Sequence, residues 1–148
     1  MNRTLIIGIA GGTGAGKTTI ARAINSELPG GAVALIQHDS YYRDRPDLDD
    51  DERASVNYDH PESLDNALLL THLKALREGL PIERPNYDFV THRRKAETTT
   101  VAPAPVVVLE GILIFAVPEL VAQFDIKLFI DTPADVRVLR RIRRDIEK

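Results

Sequence analysis

The segment Gly11-Gly12-Thr13-Gly14-Ala15-Gly16-Lys17-Thr18 satisfies the pattern G-x-x-x-x-G-K-[ST] in full. Backbone N–H groups of such a loop, freed by glycine to curl around an anion, cradle phosphates at a helix N-terminus. Lys17 then reaches the outer phosphates and the Thr18 hydroxyl ligates Mg2+, with Thr19 completing the phosphate-binding set. The competing interpretation is a glycine turn that merely joins strand to helix. Moving a phosphoryl group also needs carboxylates, to hold the metal and to activate an acceptor hydroxyl. Asp39 and Glu110 each follow an apolar run, and the carboxyl ends of parallel strands face the ligand crevice. Either acid alone reads equally well as a solvated residue after a strand.

Two further groups carry polar chemistry. Arg137, Arg140, Arg141 and Arg144 fall on one face of a helix and form either a solvated basic stripe or a clamp on transferring phosphates. Tyr87-Asp88-Phe89-Val90-Thr91-His92 sets aromatics beside a carboxylate and an imidazole, which suits either ordinary cross-strand pairing or stacking of a planar base. There is no zinc-type ligand spacing and no Ser/His/Asp nucleophile signature.

The elements that must position these residues follow from periodicity. Leu5–Ala10 is apolar almost throughout, as in a parallel strand covered on both faces. A helix is expected from Lys17 to Leu28, stopped by Pro29-Gly30-Gly31, and a strand from Ala32 to Gln37. His38–Asn57, with its acidic cluster, reads as a loop or mobile excursion. Leu64, Leu68, Leu69, Leu73 and Leu76 predict an amphipathic helix, and the stretch 82–101 a hairpin. Val106–Glu110 and Ile126–Asp131 are buried-type strands, with a short helix over Pro118–Phe124 between them. Thr132-Pro133-Ala134-Asp135 starts a last helix. Strands alternating with helices imply an α/β domain of P-loop NTPase type, three layers around a mostly parallel sheet, with the hairpin inserted on it.

Composition agrees. The 148 residues are one domain's worth, with 43% hydrophobic and 28% charged residues and a net charge of -3. That charge argues against a nucleic-acid partner, and the N-terminal apolar run is too brief to span a membrane. The chain reads as soluble, and its lack of cysteine fits a reducing cytoplasm.

Taken together, Gly8–Thr19, Gln37-His38-Asp39-Ser40-Tyr41-Tyr42, Asn57-Tyr58-Asp59-His60-Pro61, Tyr87–His92, Leu109-Glu110-Gly111-Ile112-Leu113 and Arg140-Arg141-Ile142-Arg143-Arg144-Asp145-Ile146 resemble the uridine kinase (uridine-cytidine kinase) family. The resemblance covers nearly the whole chain in order. It implies phosphoryl transfer from ATP or GTP, with Mg2+, to the 5′-hydroxyl of uridine or cytidine. It casts Asp39 as the base and, with Thr18 and Glu110, as a metal ligand. Tyr42, Tyr58 and Asp59 would line the nucleoside site, Tyr87, Phe89 and His92 would hold the pyrimidine, and Arg141 and Arg144 would belong to a lid over the phosphates. Family members also suggest a homotetramer. They continue beyond this helix into a further strand and helix, so the chain is expected to be cut short at the lid, within a single domain over 1–148. Phosphoribulokinase and pantothenate kinase types share the loop and sheet, but the Asn57–Pro61 and Tyr87–His92 blocks argue against them. A non-catalytic nucleotide-binding remnant is the reading from another class. His38 stands where a smaller or amide-type neighbour of the acid is expected.

Overall fold

The structure, a computed structural model, describes residues 4–11, 16–56, 58 and 60–130, without the side chain of Thr18. Gly12, Thr13, Gly14, Ala15, Asn57, Asp59 and the predicted final helix, with Arg137, Arg140, Arg141 and Arg144, lie outside the described residues.

In chain order the elements are β1 (Leu5–Gly11), α1 (Lys17–Glu27), β2 (Val33–Gln37), α2 (Asp50–Ala54), α3 (Asn66–Arg77), β3 (Ile82–Asp88), β4 (Arg93–Val101), β5 (Val106–Gly111), α4 (Pro118–Val121) and β6 (Ile126–Ile130). One sheet has the order β2-β5-β1-β6 with every described pair parallel, and β3-β4 form a separate antiparallel hairpin.

The apolar runs of β1 and β5 are buried on both faces because helices cover both. Ile6, Val107 and Leu109 meet Leu69, Leu73 and Leu76 of α3 on one side. Ile7, Ile9 and Val108 meet Ile20, Ala21 and Ile24 of α1 on the other. Each fully buried leucine or isoleucine contributes about 1.5–3 kcal/mol from apolar burial. Arg77 fixes the end of α3 to the sheet, donating to the Thr4 and Gln123 carbonyls at 3.2 and 2.8 Å.

β1, α1, β2 and β5 differ from expectation by a single residue at one end, and three departures are larger. The stretch after β2 is not a bare loop: His38–Tyr41 forms a 3-10 turn and Asp49 opens α2 through a capping box with Glu52, at 2.8 and 3.1 Å. That box satisfies otherwise orphaned N–H groups, so part of the acidic cluster is helix-forming. The leucine-rich helix starts only at Asn66, because Asp65 caps it by accepting from the Leu68 N–H while Leu64 bridges to Tyr42. The helix expected over Pro118–Phe124 ends at Val121.

Candidate active site

The phosphate-binding segment enters the described structure at Gly16, whose φ of 96° is a left-handed conformation that glycine adopts without a Cβ penalty. Its carbonyl accepts from the Ile20 N–H at 3.1 Å, so α1 begins at once and Lys17 is its first residue. In the parallel register Ile9 of β1 sits beside Glu110 of β5, and Gln37 of β2 sits on Glu110's other side. The ends of β1, β2 and β5 therefore bring the start of the glycine loop, Asp39 and Glu110 to one edge of the sheet.

Just past β2, His38 is turned inward and 1% exposed, and its Nε2–H donates to Asn66 Oδ1 at 2.7 Å. Burial pushes its imidazole below the ordinary histidine value, which favours the neutral ring. Gly111 makes room for it: a Cβ there would lie 2.7 Å from His38 Cβ. An amide-type residue is not required at this place, since the ring itself ties the turn carrying Asp39 to α3.

Asp39 and Glu110 line a cavity of about 570 Å3 with Tyr87 and Phe89 of the hairpin. Gln37, Ser40, Arg84, Asn86, Lys95 and Glu97 complete its wall. Among the described residues no three His, Cys, Asp or Glu gather as a metal cluster. Two carboxylates on one cavity nevertheless suit Mg2+, a hard cation that commonly takes one or two carboxylates plus substrate phosphates.

The sequence-predicted acceptor residues divide into wall and support. Tyr87 and Phe89 line the cavity, their rings 5.1 Å apart and inclined at 67°. Tyr42 is not in the wall but packed behind it, 7% exposed, with ring centroids 5.3 Å from Tyr87 and 6.0 Å from Phe89. Its hydroxyl donates to the Tyr58 carbonyl at 3.1 Å. His92 stacks on Tyr58 at 5.1 Å and 18°, in a left-handed conformation with φ 54°. Burial raises the Tyr87 phenol above its usual value, keeping the hydroxyl protonated.

The hairpin is held to the Asp39 segment by charge. Asp44 accepts from Arg93 Nε and Nη2 at 2.7 and 3.2 Å and from the Arg94 N–H at 3.2 Å. Arg94 Nη2 donates to the Tyr42 carbonyl at 3.0 Å and lies 3.8 Å from Asp65. The Arg93 guanidinium holds the Asp44 carboxyl below the ordinary aspartate value.

Sequence reasoning missed Arg84, Asn86, Lys95 and Glu97. Alternation along β3 puts Arg84 and Asn86 on one face and Tyr87 on the other, but the register shifts between Pro85 and Tyr87. That irregularity turns all three into the cavity.

A buried parallel sheet, a helix springing from the glycine loop and strand-end carboxylates on a shared cavity define a P-loop kinase fold. The profile of the "Phosphoribulokinase / Uridine kinase family" matches residues 6–148, and the chain belongs to that family. It is 52% identical over 148 residues to a uridine kinase of Alkaliphilus metalliredigens, covering all of this chain and 71% of that one. It is 47% identical over the same 148 residues to a uridine kinase of Clostridium perfringens, again covering 71% of the relative. Among solved structures, a possible uridine kinase from Bacillus stearothermophilus superposes with a TM-score of 0.67 at 21% identity, covering 93% of this chain and 76% of that one. D-glycerate 3-kinase from Cryptococcus neoformans does so at 0.55 and 23%, covering 77% and 44%. These two likenesses concern the fold. No described helix is long and apolar enough to cross a membrane.

Proposed function

We propose that this chain is a uridine/cytidine kinase of the cytoplasm, moving the γ-phosphoryl of ATP or GTP to the 5′-hydroxyl of uridine or cytidine to give UMP or CMP. The observation that carries this reading is the cavity in which Asp39 and Glu110 meet Tyr87 and Phe89. It offers a base, metal-binding oxygens and a planar-ring wall in one enclosure. Relatives about half identical and named uridine kinase support the same acceptor.

In this reading the backbone of Gly11–Gly16 cradles the donor phosphates, with Thr19 in the following turn, and Lys17 balances their charge. Asp39 accepts the proton of the 5′-hydroxyl as the oxygen attacks phosphorus and the nucleoside diphosphate leaves. Thr18, Asp39 and Glu110 would hold Mg2+, which neutralises charge developing on the phosphates. Tyr87 and Phe89 flank the pyrimidine, and Tyr42 and Tyr58 fix their inclination from behind. His92, backed by Tyr58, presents an imidazole able to donate or accept, which suits both uracil and cytosine. Asp59 bonds the ribose hydroxyls, and Arg141 and Arg144 close over the phosphates and exclude water.

The test is transfer of labelled γ-phosphate from ATP with Mg2+ to a panel of uridine, cytidine, ribulose 5-phosphate and pantothenate. Label in UMP and CMP is expected. Label in either of the other acceptors, with none in the nucleosides, overturns the reading.

A further inference from the structure

The turn that carries Asp39 is pinned at both ends. His38, its first residue, and Tyr41, its last, are 1% and 0% exposed, whereas Asp39 between them is exposed and lines the cavity with Ser40. Both buried side chains bond to α3. His38 Nε2 meets Asn66 Oδ1, and Tyr41 Oη meets His72 Nδ1, each at 2.7 Å. The Asp65 N–H also donates to the Tyr41 carbonyl at 2.7 Å, so main chain and side chains together hold the turn against the start of the helix.

Asn66 sets the direction of its bond to His38. Its Nδ2 donates to the Pro61 carbonyl at 3.0 Å, and a carbonyl only accepts, so Oδ1 faces the imidazole and His38 Nε2 carries the hydrogen. One amide thereby joins the Asp39 turn to the segment behind the aromatic wall. Just beyond Pro61, Ser63 Oγ donates to the Tyr58 carbonyl at 3.3 Å, and the Tyr58 ring stacks on His92. On its other side His38 packs on β5. A Cβ on Gly111 would lie 2.7 Å from His38 Cβ and 3.3 Å from its Nδ1, and Gly111 directly follows Glu110. His38 is thus the chain neighbour of one cavity carboxylate and is packed on the chain neighbour of the other.

We infer that His38 is a positioning residue: bonded to Asn66 and packed on Gly111, it fixes where the Asp39 carboxylate stands relative to Glu110 and to the acceptor wall. This rests on the nucleoside-kinase reading of the same cavity, in which Asp39 takes the proton and both carboxylates hold Mg2+. His38 is buried and acts through Asp39. A displacement of about 1 Å at a reacting group costs on the order of a hundredfold in rate, so the spacing this contact sets governs turnover more than affinity. The contribution of the ring is an N–H donor in a confined space, which a glutamine amide can also supply.

Two readouts on the 148-residue chain test this: steady-state UMP formation, and Mn2+ affinity of the ATP-loaded chain followed by electron paramagnetic resonance. For His38→Ala, kcat should fall about tenfold or more with KM for uridine within about threefold, and Mn2+ should bind about fivefold or more weakly. His38→Gln should recover most of both losses, and Asn66→Ala should share them. In the double variant His38→Ala/Asn66→Ala the losses should not add, because either change alone breaks the same bond. A side chain that only stabilises the core would lower Tm and leave both readouts of the folded chain in place. Therefore kcat and Mn2+ affinity within about twofold of the parent in folded His38→Ala overturn the inference. A rise in KM without loss of kcat overturns it too, as does a His38→Gln chain no better than His38→Ala. Should His38→Ala fail to fold, His38→Leu, which fills the space without a donor, carries the same comparison with His38→Gln. A parent chain that binds ATP and Mn2+ but makes no UMP overturns the nucleoside-kinase reading itself, and the Mn2+ readout then decides the inference alone.

Discussion

Replacing Asp44 with asparagine tests whether the hairpin wall depends on one carboxylate. Asp44 receives Arg93 through two N–H groups at 2.7 and 3.2 Å and the Arg94 backbone at 3.2 Å, so Asp44→Asn keeps the shape and removes the charge. Hydrogen bonds to charged groups are worth about 1.5–3 kcal/mol each when sheltered. Here the side chains are 29% and 40% exposed, so solvent screening brings the clamp well below that range. The expected result is a fall in Tm of about 3 °C or more. Because the clamp joins the Tyr42 segment to the strand following His92, KM for uridine should also rise about fivefold or more, while KM for ATP stays put. In the double variant Asp44→Asn/Arg93→Gln, the two losses should fall short of adding.

The pH dependence has a definite sign. Arg93 depresses the Asp44 carboxyl in the folded chain, so its stabilisation is complete above the ordinary aspartate value of 3.8 and is lost as pH falls from there through the depressed folded value. Denaturation of parent and Asp44→Asn chains should therefore differ at neutral pH and converge in acid. An Asp44→Asn chain with unchanged Tm and unchanged KM for uridine would refute the reasoning.

Lys17→Ala should abolish phosphate transfer and weaken ATP binding at least tenfold, read by titration calorimetry. Substituting His92 by asparagine should change the ratio of uridine to cytidine kcat/KM, and an unchanged ratio in paired progress curves would remove it from base recognition. Gly111→Ala should lower stability by about 1–3 kcal/mol in urea unfolding, since the new Cβ meets His38 at 2.7 Å at the buried end of β5.

Much of this arrangement was legible because local patterns agreed with the global fold. The apolar runs of β1 and β5 and the leucine spacing of α3 all report burial, and the glycine loop falls between strand and helix as its chemistry requires. The hairpin was also readable from its β-type content. What remained hidden depends on contacts distant in sequence or on irregular backbone. Asp44 and Arg93 are 49 residues apart, and no periodicity links them. Arg84 reaches the cavity wall with Tyr87 only because β3 slips register after Pro85. Tyr42 carries the substrate-contact expectation of its motif, while its packing against the Tyr87 and Phe89 rings joins residues far apart in sequence that no periodicity links. The capping box at Asp49 and Glu52 was in principle readable, but the surrounding run of acids masked it.

The most direct test measures UMP formation from ATP, Mg2+ and uridine beside ATP binding, for the parent chain and for Asp39→Asn. The account predicts that the parent makes UMP, while the variant binds ATP within a few-fold of the parent and loses at least about a hundredfold in turnover, as expected when a general base is removed. Turnover by Asp39→Asn close to the parent rate would contradict the role given to Asp39. A folded parent chain that binds ATP and makes no UMP would contradict the proposed activity of these 148 residues and favour a nucleotide-binding remnant.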